Sequence, residues 1–202
     1  MSTVKLTIIY YSATGTNYAM ALEAQKAALA AGAEVRLRKV QELAPDVAID
    51  SNPAWRAHVE ATRDVPVASH DDLEWADAYL FSTPTRYGNV PAQIKQFIDT
   101  TGPLWAQGKL SNKVVSGFAT AGNVHGGQET TLMALYNSFY HWGAIIVSPG
   151  YTNPLLSAAG GNPYGFSRQA GTEFSEAEKA AVRYQTERMI EISARLLRGK
   201  LA

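Results

Sequence analysis

The 202-residue sequence contains no cysteine. That excludes disulfides, thiolate metal sites and thiol catalysis, and it fits a cytoplasmic chain. Net charge is also missing, since 18 basic residues face 18 acidic ones. A neutral chain lacks the basic field that draws proteins to nucleic acid or to anionic membranes, so neither is an expected partner. There is no long hydrophobic run. The apolar stretch after Lys5 lasts a few residues and ends in Tyr10-Tyr11-Ser12 with no small-residue cleavage site, too short for a signal peptide or a membrane span. Neither a GxxxxGK[ST] nor a GxGxxG pattern occurs, which counts against nucleoside triphosphates and a Rossmann dinucleotide site. The four histidines are scattered without HxxxH spacing, so no metal is expected.

What is present is the composition of a folded globule, 46% hydrophobic and 18% charged. Two cores in a chain of this length would each be marginal, so residues 1–202 are expected to form one domain. Lys5-Leu6-Thr7-Ile8-Ile9-Tyr10-Tyr11 is β-branched and aromatic, the mark of a buried parallel strand. Residues 18–31 are alanine-rich with Met20, Leu22 and Leu29, predicting a helix closed by a left-handed cap at Gly32. Residues 34–38, 78–83, 114–120 and 144–147 read as further strands, with helices at 90–100 and 128–142. A capping box, Ser175-Glu176-Ala177-Glu178, opens a last helix with Val182, Met189, Ile192 and Leu196 on one stripe. Such alternation predicts an α/β fold, a doubly wound five-stranded parallel sheet with helices on both faces. Two stretches exceed that minimum, about 42–71 and 150–172, and are read as extended inserts.

In such sheets ligands sit beyond the carboxyl ends of the strands, so the loops after the first, third and fourth strands carry the functional reading. The first, Ser12-Ala13-Thr14-Gly15-Thr16-Asn17, places three hydroxyls and a glycine before a helix N-terminus, a setting for a phosphate monoester. The second, Thr83-Pro84-Thr85-Arg86-Tyr87-Gly88-Asn89, offers an aromatic, a glycine and an arginine to the walls of a flat ring. The third contains Thr120-Ala121-Gly122-Asn123, then Val124-His125, then Gly126-Gly127, and its glycines permit close backbone approach. Taken together the loops point to FMN. Of the single residues, His58 and His70 read as solvated positions of the insert, and Trp55 and Trp75 as packing. Trp105 follows Gly102-Pro103-Leu104 and precedes a polar turn, which favours a pocket wall over a core anchor.

A resemblance sharpens this. The segments YYSATGTN, STPTRYGNVPAQIKQFIDTTGPLWAQGKL, GNVHGGQE, YHWGA and GGNPYG occur in that order over nearly the whole chain. The set resembles the WrbA family of flavodoxin-like NAD(P)H:quinone oxidoreductases, most specifically from Pro84 to Trp105. The resemblance implies that Ser12 to Asn17 hold the FMN phosphate. It also implies that Thr85 to Asn89 wall the isoalloxazine and that Thr120 to Gly127 line its polar edge. His141 matches a position near the flavin and is the candidate proton source. Trp105 matches one that closes the substrate side, in a pocket completed by neighbouring subunits of a homotetramer. Two departures stand out: Thr14 occupies a commonly aromatic position that contributes to nicotinamide-nucleotide binding, and Val124-His125 lengthens the third loop. The choice between NADH and NADPH stays open.

The activity so implied is two-electron reduction of a small-molecule quinone, with hydride passing through the flavin in an exchange of partners. Two alternatives remain at this point: a flavodoxin-type electron carrier, and a flavin-binding regulatory protein without NAD(P)H turnover.

Overall fold

The computed structural model describes residues 3–199. In chain order the elements are β1 (Lys5–Tyr10), α1 (Thr16–Ala30), β2 (Glu34–Lys39), α2 (Asp46–Asp50), α3 (Pro53–Ala61), α4 (His70–Trp75) and β3 (Ala78–Pro84). They continue with α5 (Ala92–Thr100), α6 (Gly102–Ala106), β4 (Val114–Ala121), α7 (Gln128–Trp142), β5 (Ile145–Ile146), α8 (Pro154–Ala158), β6 (Ser167–Gln169) and α9 (Glu176–Gly199). The strands form one parallel sheet in the order β2-β1-β3-β4-β5, with β6 also paired to β4. The reversal of direction at β1 and β3 is the topological switch point where loop ends splay apart and leave a crevice.

Both sheet faces are buried, which explains why the central strands are apolar throughout rather than alternating. Along β3, Leu80 faces a core built with Met20, Ala24, Val182 and Met189, from α1 and α9. Its neighbours Tyr79 and Phe81 face the opposite core, with Ile94, Leu132, Phe139 and Trp142 from α5 and α7.

Several expectations need adjustment. The face α1 buries is made by Ala21, Ala24 and Ala28 beside Met20, while Leu29 is 54% exposed. Alanines let α9 approach closely enough for Arg183 to reach Glu23 at 2.5 Å. On α9 the capping box forms, with the Ser175 N–H donating to Glu178 Oε2 at 2.8 Å. Its inner face, however, runs through Val182, Gln185, Met189, Ile190 and Ser193, and Leu196 is exposed. The sheet has six strands rather than five, because the second insert returns to lay β6 against β4. The first insert is about half helical, holding α2, α3 and the first residues of α4.

Candidate flavin site

The first loop leaves β1 and enters α1, whose opening turn offers unpaired N–H groups at the positive end of the helix dipole. Ser12 Oγ accepts the Gly15 N–H at 2.9 Å, which folds the loop back on itself. The Thr14 and Thr16 hydroxyls line the adjoining cleft and have no partner among the described residues. Asn17 behaves differently. Its buried side chain donates to Thr120 Oγ1 at 2.8 Å and accepts from Ser82 Oγ at 3.2 Å, so it ties the start of α1 to β3 and β4.

The second loop is a tight reversal. Arg86 N–H donates to the Asn89 carbonyl at 2.7 Å and Asn89 N–H to the Arg86 carbonyl at 3.0 Å, around Tyr87 and Gly88, both at positive φ. That is the geometry of a two-residue turn with left-handed central residues. Thr85 Oγ1 accepts from Gly88 N–H at 3.1 Å and from Thr131 Oγ1 at 2.7 Å, joining this loop to α7. The third loop meets it there: a Cβ on Gly127 would stand 2.8 Å from Gly88 Cα, so a side chain at this contact would force the two loops apart. Within the third loop Asn123 folds its own turn, accepting from His125 N–H at 2.9 Å and Gln128 Nε2 at 2.8 Å.

A cleft of about 310 Å³ lies where the loops converge. Of the expected residues, Ser12, Ala13, Thr14, Thr16, Asn17, Pro84, Thr85, Arg86, Thr120, Ala121 and Gly122 line it. Thr83 is buried in β3, Tyr87 projects fully into solvent, and Gly88, Asn89, Asn123, Gly126 and Gly127 shape the loops without lining the cleft. The residues suit FMN on the structure's own terms: free hydroxyl and N–H donors at a helix start for the phosphate, and a shallow crevice between two strand-end loops for the ring.

The structure adds residues that the sequence reading missed. Asn52 and Trp55, at the start of α3, form part of the cleft wall, as does Ala170 after β6. Trp55 is therefore not merely packing. Its indole N–H donates to Glu42 Oε2 at 3.2 Å. Glu42 also accepts from Tyr11 Oη at 3.0 Å, Gln93 Nε2 at 2.7 Å and the N–H groups of Leu43 and Ala44 at 2.8 and 3.0 Å. Burial pushes the Glu42 carboxyl pKa up, but these donors outweigh it and hold it below the ordinary glutamate value. The signal available in sequence was Asn52-Pro53, a helix N-cap followed by proline; Asn52 Oδ1 accepts from Ala54 N–H at 3.1 Å.

Next to the cleft, and sharing Ser12 with it, is a cavity of about 430 Å³ under α3. His58 lines it beside Tyr18, ring centres 5.6 Å apart, so it is half-buried rather than solvated. Burial, then the charge of Lys39, lowers its pKa. His70 is part-exposed, with Nε2 3.2 Å from Thr100 Oγ1. Trp75 does pack, carrying the Arg36 guanidinium 4.2 Å above its ring.

His141 and Trp105 belong together, but not with these loops. The Trp105 indole N–H donates to the His141 carbonyl at 2.8 Å. Just beyond His141, the Gly143 carbonyl accepts from Asn112 N–H at 2.9 Å, beside the start of β4. α7 starts at the carboxyl end of the sheet and runs 15 residues back, which at 1.5 Å per residue puts His141 roughly 20 Å from the third loop. The expectation that His141 faces the same strand ends is thus incorrect for a single chain. Both side chains are exposed at the opposite edge, Trp105 by 57%.

Strand order, switch point and loop chemistry define a flavodoxin-like nucleotide-binding protein. A structure of a flavodoxin, WrbA-like protein from Agrobacterium tumefaciens superimposes with a TM-score of 0.67 at 22% identity, covering 96% of this chain and 99% of that one. A flavodoxin from the domain Archaea gives 0.62 at 14% identity, over 94% and 99% of the two chains. These likenesses establish the fold. The sequence model for NADPH-dependent FMN reductase matches residues 4–153, and the chain belongs to that family. A Deinococcus radiodurans protein named NAD(P)H dehydrogenase (quinone) is 53% identical over 195 residues, 96% of this chain and 98% of its own length. An Aromatoleum aromaticum protein of the same name is 38% identical over 208 residues, 98% of this chain and all of the relative. No group of metal-ligating side chains and no helix long and apolar enough to cross a membrane occurs among the described residues.

Proposed function

We propose that this protein is an FMN-dependent NAD(P)H:quinone oxidoreductase, a single flavodoxin-like domain acting as a cytoplasmic homotetramer. The observation that carries the reading is the convergence of the three strand-end loops on one cleft, with the Thr14 and Thr16 hydroxyls free at the start of α1. Family membership and the names of the full-length relatives support it.

Bound FMN supplies hydride acceptance from the nicotinamide and donation to the quinone. The chain supplies the rest. Ser12, Thr14, Thr16 and the first N–H groups of α1 hold the phosphate. Pro84, Thr85 and Arg86 from the second loop and Thr120, Ala121 and Gly122 from the third would line the part of the cleft that takes the ring. The Arg86 guanidinium favours negative charge that develops in the cleft. A single cleft cannot seat both reactants on the ring at once, so the nicotinamide donor leaves before the quinone enters. Parallel steady-state velocity lines are expected; intersecting lines with a ternary complex would overturn this order.

Trp105 and His141 take part only across a subunit boundary, where the exposed edge of one chain caps the cleft of another. His141 then holds a proton for the quinone oxygen, and Trp105 closes the substrate side. The tetramer is accordingly part of the proposal, checked by sedimentation velocity.

The phosphate assignment is tested with Thr14→Ala combined with Thr16→Ala. Each lost hydrogen bond to a charged group is worth about 1.5–3 kcal/mol, so FMN affinity should fall more than about tenfold. Unchanged affinity would refute the assignment. Addition of NADH or NADPH and a benzoquinone to the holoprotein separates the enzyme, which turns over, from an electron carrier, which stays inert.

A further inference from the structure

The proposed reaction requires a second nucleotide beside the flavin, and the cleft is lined by Asn52, Trp55 and Ala170 as well as by the three loops. The outer wall of the cleft is built by the first insert. Trp55 projects there from the opening turn of α3, half-buried, with Thr14 and Arg86 on the same cleft. Its indole is fixed at one edge by Glu42. The five donors on that carboxylate come from the end of β1, from α5, from α3 and from the insert itself, so the ring plane is set by the scaffold rather than by a mobile loop. Arg86 has no carboxylate partner among the described residues; its guanidinium is exposed and donates only to the neighbouring Thr85 carbonyl at 3.0 Å. A preset aromatic face and an unpaired guanidinium on one cleft match a purine attached to a diphosphate: the base stacks on the ring and the guanidinium pairs with phosphate oxygens.

Resting on the oxidoreductase reading, we infer that Trp55 is the platform for the adenosine diphosphate half of the nicotinamide donor, and that Glu42 is a positioning residue that holds the indole in register. The insert is then a donor-recognition element, and the flavin is held by the loops without it. Glu42 touches no ligand and acts through the Trp55 N–H.

The test uses the holoenzyme and two kinds of readout. The first is binding: adenosine 5′-diphosphate, which cannot react, is titrated calorimetrically, and FMN affinity is measured separately by flavin fluorescence. The second is the KM for NADH, NADPH and a benzoquinone, each against kcat. Trp55→Ala should weaken adenosine diphosphate and raise the donor KM by about fivefold or more. FMN affinity and quinone KM should move by less than about twofold. Trp55→Phe, which keeps a stacking face, should recover most of the loss. Glu42→Gln should raise the donor KM in the wild-type background but add nothing to Trp55→Phe, where the N–H it anchors is gone; this non-additivity separates positioning from general destabilisation.

Loss of FMN affinity in step with donor KM would make Trp55 a flavin wall and overturn the inference. So would unchanged adenosine diphosphate binding in Trp55→Ala. A wild-type holoenzyme inert toward NADH and NADPH would overturn the oxidoreductase reading instead, and the diphosphate titration would still decide the role of Trp55.

Discussion

The two inserts solve one problem with opposite charges. A chain that leaves a parallel sheet for a long excursion must satisfy backbone groups that no ladder serves. At the first insert an anion does this: Glu42 gathers the N–H groups of Leu43 and Ala44 together with donors from Tyr11, Gln93 and Trp55. At the second a cation does it. The Arg168 side chain, 3% exposed, donates to the Thr172 carbonyl at 3.0 Å, to the Glu173 carbonyl at 2.5 Å and to Glu178 Oε1 at 3.0 Å. The anion stands where the chain departs and collects donors; the cation stands where it returns and collects acceptors. The first arrangement puts an aromatic ring on the cleft wall, whereas the second contributes only Ala170 there and braces the third loop through Ala170 N–H to the Ala121 carbonyl at 2.7 Å and Gln169 Nε2 to the Gly122 carbonyl at 3.0 Å.

If that contrast holds, breaking the buried cation should do the most damage. Arg168→Ala removes the guanidinium donors from the Thr172 and Glu173 carbonyls and from Glu178, which keeps its Ser175 donors, and the loss of a hydrogen bond to a charged group costs about 1.5–3 kcal/mol. Urea denaturation should show the midpoint falling accordingly, with KM values little changed in the protein that remains folded. A loss below about 1 kcal/mol would reduce Arg168 to the standing of a surface ion pair.

A smaller effect, shared by both inserts, is expected in acid. For Glu178, burial raises the pKa, but the Ser175 N–H, the Arg168 guanidinium and the Ser175 hydroxyl outweigh it, and the net direction is down, as for Glu42. A carboxyl depressed in the folded state contributes stability that is fully present above its unfolded value, about 4.3, and is lost as pH falls through the folded value. The share of stability these carboxyls supply should therefore hold from about pH 7 to about 5 and decline below about 4, beneath an earlier, separate fall that begins at about pH 6.5 because burial lowers the His58 pKa. Protection from hydrogen exchange, taken relative to the intrinsic rate at each pH, should fall in the same window at the Leu43, Ala44 and Ser175 amides. Amides of one insert opening without the other would show that only one anchor is electrostatic.

The smallest effect is expected at Tyr10, on the floor of the cavity beneath the first insert. Its buried hydroxyl has no hydrogen-bond partner among the described residues, while the Thr62 hydroxyl donates to the His58 carbonyl at 2.8 Å. Tyr10→Phe should be neutral or stabilising by up to about 1 kcal/mol in thermal melts. A loss larger than that would mean the hydroxyl is satisfied in solution, and would weaken the view that the insert is held mainly at Glu42.

What the sequence made legible was local. The bounds of α7 follow from its apolar spacing between a glycine-rich loop and Gly143, and the start of α9 from its capping box. The turn from β1 into α1 was equally readable, since strand, hydroxyl cluster and helix are contiguous; that it holds a phosphate is our proposal. Less legible was anything that depends on which element ends where. Asn17 sits in the phosphate loop by sequence, yet turns inward because Thr120 and Ser82 lie beneath it. Trp55 needed the whole insert folded back over β1 before it could reach the cleft. His141 was misplaced for a simpler reason: a helix that begins at one edge of a sheet must end at the other.

The edge beyond β4 is laid in two pieces. β5 pairs with Val114 and Val115, β6 with Ala119 to Ala121, and between them Gln185 from α9 donates to Ser116 Oγ at 2.8 Å and the Gly117 carbonyl at 3.0 Å. The chain between the pieces departs and returns along one strand, so its endpoints are neighbours whatever its length. An insertion at an exposed point of this segment, such as Gly160, would therefore leave the sheet's registers in place, whereas Val147, Leu156 and Phe166 belong to the core and fix the rest of it. An edge broken in this way also offers no continuous row of backbone groups to a second sheet on that side, unlike the opposite edge, where β2 runs unbroken for six residues.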